Sequence, residues 1–348
     1  MNWTGWRSAA CIAAACLTLP LRGLATGFVD PLDAATVATP LAAKALLNGL
    51  VRAGDRMLAV GQRGHALVSA DAGKTWAQVA MPVSSDLVAV HFPTATKGWA
   101  VGHDGVVLAS ADGGQSWSKQ LDGRSAGQSM AKHYAAAEPR LAEEAKRYAD
   151  QGPDKPFLDV WFENENTGYV VGAFNLIFRT EDGGKTWLPW FDKVDNPKAL
   201  HLYAIRPVGE DLFIVGEQGL VLKLDRKAGR FTALPTPYKG TFFGITGQAG
   251  AVLAYGLRGN VFRSTDGGAN WAKVETGLQL SLTGSAVTED GRILLVSQAG
   301  HVLASSDGGV SFKPLALERA VPSSALLPAG KDAVVIAGAR GVHRLSVK

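Results

Sequence analysis

Arg63, Arg258 and Arg340 hold the same place in three copies of one turn sequence: Gly61-Gln62-Arg63-Gly64, Gly256-Leu257-Arg258-Gly259 and Gly338-Ala339-Arg340-Gly341. An arginine presents a planar fork of N–H donors that matches a carboxylate, so three of them on one face could clamp an acidic ligand. Tyr203, Tyr255 and Glu217 add phenol and carboxylate groups of the kind that act as nucleophiles on glycosidic bonds. Five aspartates, Asp71, Asp112, Asp182, Asp266 and Asp307, also recur in one short motif. Whether these groups converge depends on the elements that carry them.

Those elements form a repeat. Seven windows align, starting at Leu58, Trp99, Tyr169, Phe213, Leu253, Leu294 and Val335, with starts separated by 41, 70, 44, 40, 41 and 41 residues. Each reads as a hairpin: a short apolar strand, a Gly-bounded turn and an alternating strand. Five windows run into a second turn ending in an aromatic: Asp71 to Trp76, Asp112 to Trp117, Asp182 to Trp187, Asp266 to Trp271 and Asp307 to Phe312. The Asp and Ser/Thr side chains of such a turn can bond nearby backbone N–H groups, and the aromatic starts the next strand. An apolar stretch such as 86–92 supplies a further, innermost strand. Four strands at a period near 41 predict an all-β, seven-bladed β-propeller. Residues near 35–39 are expected to complete the last blade as an N-terminal strand that closes the ring and removes an exposed edge.

This geometry scatters the five aspartates around the periphery, where turn formation accounts for them. The first-hairpin turns, carrying Arg63, His103, Arg258 and Arg340, emerge on the opposite face. They read either as solvated turns or as an electropositive patch for a carboxylate or an acidic segment. The extra length in the second spacing places a helical insertion, about 121–156, between blades 2 and 3 on that same face. Residues 129–150 are rich in Ala, Glu, Lys and Arg, with a break at Pro139. Met130, Tyr134, Leu141, Ala145 and Tyr148 make an apolar stripe that either packs on its own domain or joins a partner-binding face.

The motif S/T-x-D-G-G-x-T/S-W is the Asp box, or bacterial neuraminidase repeat. Together with Lys97-Gly98-Trp99-Ala100-Val101-Gly102 and Thr167-Gly168-Tyr169-Val170-Val171-Gly172, it makes residues 45–348 resemble the photosystem II stability/assembly factor family. The resemblance implies a non-enzymatic propeller that binds a membrane-associated protein client, using arginines on one face, to aid its assembly or stability. The alternative is a sialidase-like glycoside hydrolase or a glycan-binding propeller. Against it, the Phe/Tyr-Arg-Ile-Pro motif of sialidases is absent, and their boxes recur irregularly. Blade 4 departs from the pattern, with Leu224-Asp225-Arg226-Lys227 in place of a box.

Composition narrows the classes further. Gly 41 with 19% charged residues describes a turn-dense globular chain. Arg7, the apolar run 9–19 and Gly23-Leu24-Ala25 read as a secretory signal over residues 1–25, cleaved near Ala25, which predicts an exported, periplasmic protein without a membrane span. Lipidation at Cys16 fits less well, because Ala13-Ala14-Ala15 lacks a large aliphatic residue. Both cysteines, Cys11 and Cys16, lie in that leader, so the mature chain 26–348 is expected to have no thiol chemistry. Its removal takes two of 35 basic and none of 31 acidic residues, leaving +2, too little for nucleic-acid binding. No phosphate loop, His-Glu-x-x-His helix or Gly-x-Ser-x-Gly elbow occurs. No cofactor, metal or catalytic residue is assigned, and oligomeric state is left open.

Overall fold

The structure, a computed structural model, describes Met1 and residues 27–348. The leader expected over residues 1–25, with Cys11 and Cys16, lies outside the described residues apart from Met1. Seven antiparallel sheets span residues 47–79, 87–121, 157–189, 202–234, 242–274, 282–315 and 325–346, numbered here as blades 1 to 7. Strand order within each follows the sequence. The innermost strand of every blade packs on that of the next, and Leu47–Ala53 meets Ala325–Pro328 to close the ring. The seven-bladed propeller expected from the repeat is therefore the observed fold.

The second strands of blades 1 to 5 and 7 are buried along nearly their whole length, as strands covered on both faces must be. Their apolar side chains fill the spaces between blades. Trp99 of blade 2 lies flat on Phe162 of blade 3, for example. The Gly that ends these strands is dictated by a close approach. A Cβ on Gly61, Gly102, Gly172, Gly216, Gly256 or Gly338 would collide with the carbonyl oxygen of the segment entering the same blade's inner strand.

The Asp boxes share one bonding scheme. Asp71 Oδ1 accepts from Ser69 Oγ at 2.8 Å, Lys74 N at 3.0 Å and Thr75 N at 2.9 Å, while Oδ2 accepts from Thr75 Oγ1 at 2.6 Å. Gly73 N donates to Ser69 Oγ, and Trp76 Nε1 to the Gly73 carbonyl. Asp112, Asp182, Asp266 and Asp307 repeat the arrangement, with Asn270 replacing the hydroxyl beside Asp266. Trp117 and Trp271 donate as Trp76 does; Trp187 Nε1 is buried with no partner among the described residues, and Phe312 has no donor to give.

The box is also a joint between blades. A Cβ on its second Gly would strike the preceding blade: Gly114 meets Leu58, Gly184 meets Gln120, Gly268 meets Leu234, Gly309 meets Leu253, and Gly73 meets Val335 across the closure. Side chains of the preceding blade bond the same turns, Arg56 to the Asp112 carbonyl at 3.0 Å, Gln120 to that of Gly183 at 3.0 Å, and Arg263 to that of Gly308 at 2.8 Å. In blade 4, Asp225 caps a plain hairpin turn, and Arg226 pairs with Glu163 of blade 3 at 3.0 Å.

These bonds hold the box carboxylates well below their usual range. The Ser116 hydroxyl sets Asp112 at about 2, and the Asn270 amide sets Asp266 at about 2. Asp71 and Asp307 are depressed further, chiefly by the Thr75 and Ser311 hydroxyls. A carboxylate depressed on folding stabilises the fold fully above the unfolded value near 4 and loses that contribution as pH falls through the folded one. The near-UV circular dichroism of the protein should therefore persist at pH 4 and decay toward pH 2. An unchanged spectrum at pH 1.5 would separate the boxes from stability.

The insertion forms two helices between blades 2 and 3, α1 (Gly123–His133) and α2 (Pro139–Gln151). Asp122 caps α1 by accepting from Arg124 N and Ser125 N, and Pro139 occupies the first turn of α2, where its missing N–H costs nothing.

The closing strand expected near residues 35–39 is not formed. Among the described residues blade 7 has three strands, and residues 36–39 run instead beside the outer strand of blade 1. Thr36 N donates to the Met81 carbonyl at 3.0 Å, Thr39 N to Gln78 Oε1 at 2.9 Å, and Gln78 Nε2 to the Val37 carbonyl at 3.0 Å. Further upstream, Leu32 is buried between blades 1 and 2, and Arg124 holds Asp30 and Asp33 at 2.7 and 3.0 Å. The segment thus belts blades 1 and 2. Closure packs Ala42, Leu47 and Met57 against Ala333, Val335 and Val342, and Arg52 Nη2 donates across it to the Pro328 carbonyl at 2.8 Å.

Candidate functional site

The first-hairpin turns of blades 1 to 5 share a backbone in which a non-Gly residue takes a left-handed conformation: Arg63 (φ 53°), Asp104 (57°), Phe174 (54°), Gln218 (54°) and Arg258 (56°). In blades 1, 2, 3 and 5 the turn is moored by its backbone to the segment entering the inner strand, as Gln62 N to the Leu46 carbonyl and Leu257 N to that of Thr241, both at 3.0 Å. Arg63 N also donates to Asp86 Oδ1 at 2.7 Å. This mooring aims Arg63 and Arg258 outward from equivalent places, and both are exposed. Arg340 is exposed too, but its turn is tighter and Gly341 takes the positive φ of 87°. Among the described residues no carboxylate lies within ion-pair distance of these three guanidinium groups. His103 is exposed beside Asp104, whose carboxylate accepts from Ser85 Oγ at 2.6 Å.

The turns surround the mouth of the central channel, a cavity of about 890 Å³ that includes Asp86, His103, Leu257 and Gln298 in its lining. Deeper in the channel stands an ion pair. Asp159 is buried on the inner strand of blade 3, and Arg206 Nη1 reaches its Oδ2 from blade 4 while also donating to the Ile205 carbonyl at 2.7 Å. Burial pushes Asp159 above the usual carboxylate range, outweighing Arg206. Beside them, burial drives His91 down to about 3, so it is neutral, and its Nδ1 accepts from Phe162 N at 3.1 Å. These three residues were not singled out from the sequence. The available signal was a lone charge in each of two apolar inner strands, Asp159 in 157–162 and Arg206 in 202–208.

The glycosidase geometry does not assemble. Tyr255 OH donates to Ser285 Oγ at 3.0 Å, and burial lifts the phenol to about 12. Glu217 Oε2 accepts instead from His201 N at 2.9 Å. Among the described residues neither Tyr203 nor Tyr255 is hydrogen-bonded to a carboxylate, and Arg63, Arg258 and Arg340 stay outside the channel lining. Among the described residues no group of three or more His, Cys, Asp or Glu could hold a metal ion, and no helix is long and apolar enough to cross a membrane.

The insertion stripe turns inward. Tyr134 and Tyr148 are buried in the core of blades 2 to 4, which corrects, for these two, the alternative that the stripe joins a partner-binding face. Tyr134 OH donates to Asp192 Oδ1 at 2.7 Å, and Lys155 sits over the Tyr148 ring at 4.7 Å. Leu141 alone of the three keeps surface, on a cleft of about 580 Å³ between α2 and residues 191–199.

The family model described as "Photosynthesis system II assembly factor YCF48" matches residues 68–134 and 142–314. The photosystem II assembly lipoprotein Ycf48 of Synechococcus sp. (strain CC9902) is 28% identical over 156 residues, 44% of this chain and 46% of that protein. The photosystem II stability/assembly factor HCF136 of Arabidopsis thaliana is 30% identical over 84 residues, 24% of this chain and 20% of that protein. The chain thus matches less than half the length of these curated relatives. A solved structure described as YCF48 bound to D1 peptide superposes with a TM-score of 0.63 at 17% identity, covering 90% of this chain and 96% of that one. YCF48 from Cyanidioschyzon merolae gives 0.60 at 17%, covering 89% and 97%. The WD40 propeller domain of Doa1 gives 0.61 at 8%, covering 90% and 95%, so structural likeness at this level carries fold alone.

Proposed function

The chain belongs to the photosynthesis system II assembly factor YCF48 family, and from that premise we propose that it is a non-enzymatic assembly factor whose turn face binds a protein client. The observation that carries this reading is the pair Arg63 and Arg258, presented by identical strained turns, exposed, and unneutralised beside the channel mouth. A fixed arginine fork without a carboxylate of its own is suited to an acidic segment of another protein. Arg340 and His103 extend the patch, and Leu141 adds an apolar contact at the insertion. The client is a membrane-associated protein, the chain acts after export to the periplasm with its leader cleaved near Ala25, and neither cofactor nor nucleic acid takes part. A solved relative that carries a D1 peptide supports a protein client. The glycan-binding alternative lacks a carboxylate clamp in the channel.

Replacing Arg63, Arg258 and Arg340 together by alanine should reduce capture of the client from a membrane extract at least tenfold, on the order of what losing charge-assisted contacts costs an interface. The circular dichroism and melting of the variant should match the parent. Undiminished capture would refute the patch.

A further inference from the structure

The displaced N-terminal segment leaves blade 7 with an unfinished sheet. Its outer strand, Gly341–Ser346, pairs with Ala333–Gly338 in a register that sets Arg344 opposite Val335 and Val342 opposite Ala337. Val347 N donates to the Asp332 carbonyl, and in an antiparallel ladder bonded and unbonded pairs alternate. His343 and Leu345 therefore turn their backbone groups inward, and Val342, Arg344 and Ser346 turn theirs outward. Residues 316–318 cover only the far end, where Glu318 N takes the Ser346 carbonyl and Lys348 N gives to that of Ala316. Among the described residues nothing bonds the outward groups of Val342 and Arg344. The other six blades carry four strands each.

We propose that this edge of blade 7 accepts an extended, acidic segment of a partner protein as its fourth strand. Backbone pairing supplies the contact and the flanking side chains select the partner. Arg319, Arg340, Arg344 and Lys348 surround the edge, none in an ion pair among the described residues, against the acidic Glu318 and Asp332. The same charges disfavour a second copy, because edge-to-edge pairing would set arginine against arginine. The surface adjoins the turn-face patch at Arg340, and Arg344 belongs to the edge alone.

The test is residue-resolved amide hydrogen exchange on the full chain, with the peptide Thr-Glu-Val-Glu-Val-Glu-Thr as probe. In the free chain the amides of Val342 and Arg344 should exchange rapidly while those of His343 and Leu345 are protected. The peptide should slow the first pair at least tenfold, and a version N-methylated at its edge-facing residues should not. Arg344→Glu should abolish the effect for this peptide and transfer it to one with Lys in place of Glu. Val342 and Arg344 amides already protected in the free chain would show the edge occupied by its own residues or, if sedimentation gives a dimer, by a second copy, and either overturns the proposal. So would an inert peptide, or an N-methylated one that protects equally.

Discussion

Gly102→Ala should destabilise the protein by about 3 kcal/mol, at the upper end of what overpacking costs, because the strain cannot be relieved by rotating a side chain. The new methyl would fall on the Asp86 carbonyl oxygen and within 2.8 Å of Leu87 Cα, both backbone atoms of the segment that becomes blade 2's inner strand. That segment must move, and with it the bond from His103 N to the Asp86 carbonyl at 2.8 Å. Denaturant titration checks the loss. A matched control is Gly152→Ala at the end of α2, where a Cβ meets nothing within 4 Å and only its positive φ of 85° is strained. Equal midpoints for the two variants would show that the close approach is not what requires glycine.

Arg206→Met should cost about 3 kcal/mol at neutral pH, since breaking a buried pair leaves a desolvated charge behind. The loss is felt at Asp159, which is buried, and much less at Arg206, whose side chain is 38% exposed. The pH dependence gives the sign. Burial already holds the Asp159 carboxyl above its usual range, and removing Arg206 raises it further. A carboxylate raised on folding penalises the fold only when ionised, so the penalty is absent below the unfolded value near 4 and full above the folded one. The gap in denaturant midpoint between parent and variant should therefore be wider at pH 7.5 than at pH 4.5. Adding Asp159→Asn to Arg206→Met should recover most of the loss. A gap independent of pH would mean that Arg206 contributes packing rather than charge.

Much of the fold was legible because its period is written into the chain. Turn chemistry and apolar strands recur every 41 residues or so, and the one long spacing marks the helices. Pro139 announced the break between α1 and α2, while the start of α1 is marked by Asp122 and the capping Ser125, inside the expected insertion 121–156 but ahead of its Ala-rich stretch. Closure was misread for a physical reason. A missing outer strand says that an edge is free, not which segment covers it, and Thr36, Thr39 and Leu32 find better partners at Gln78, Met81 and the seam of blades 1 and 2. Local pattern also placed Arg63 and Arg258 on one face, yet made Arg340 their equivalent although its turn differs. The Asp159–Arg206 pair joins residues 47 apart and has no local signature.

The seating of each Asp-box glycine on the blade before it gives the ring a direction in time as well as in space. A chain that emerges N-terminus first has already presented Leu58 when Gly114 appears, Gln120 when Gly184 appears, Leu234 when Gly268 appears and Leu253 when Gly309 appears. Each of these joints can therefore lock as its own blade emerges. The box of blade 1 is the exception, because the seat for Gly73 is Val335, 262 residues downstream. The first Asp box to emerge is the last to be seated, and until then the growing propeller is an open spiral.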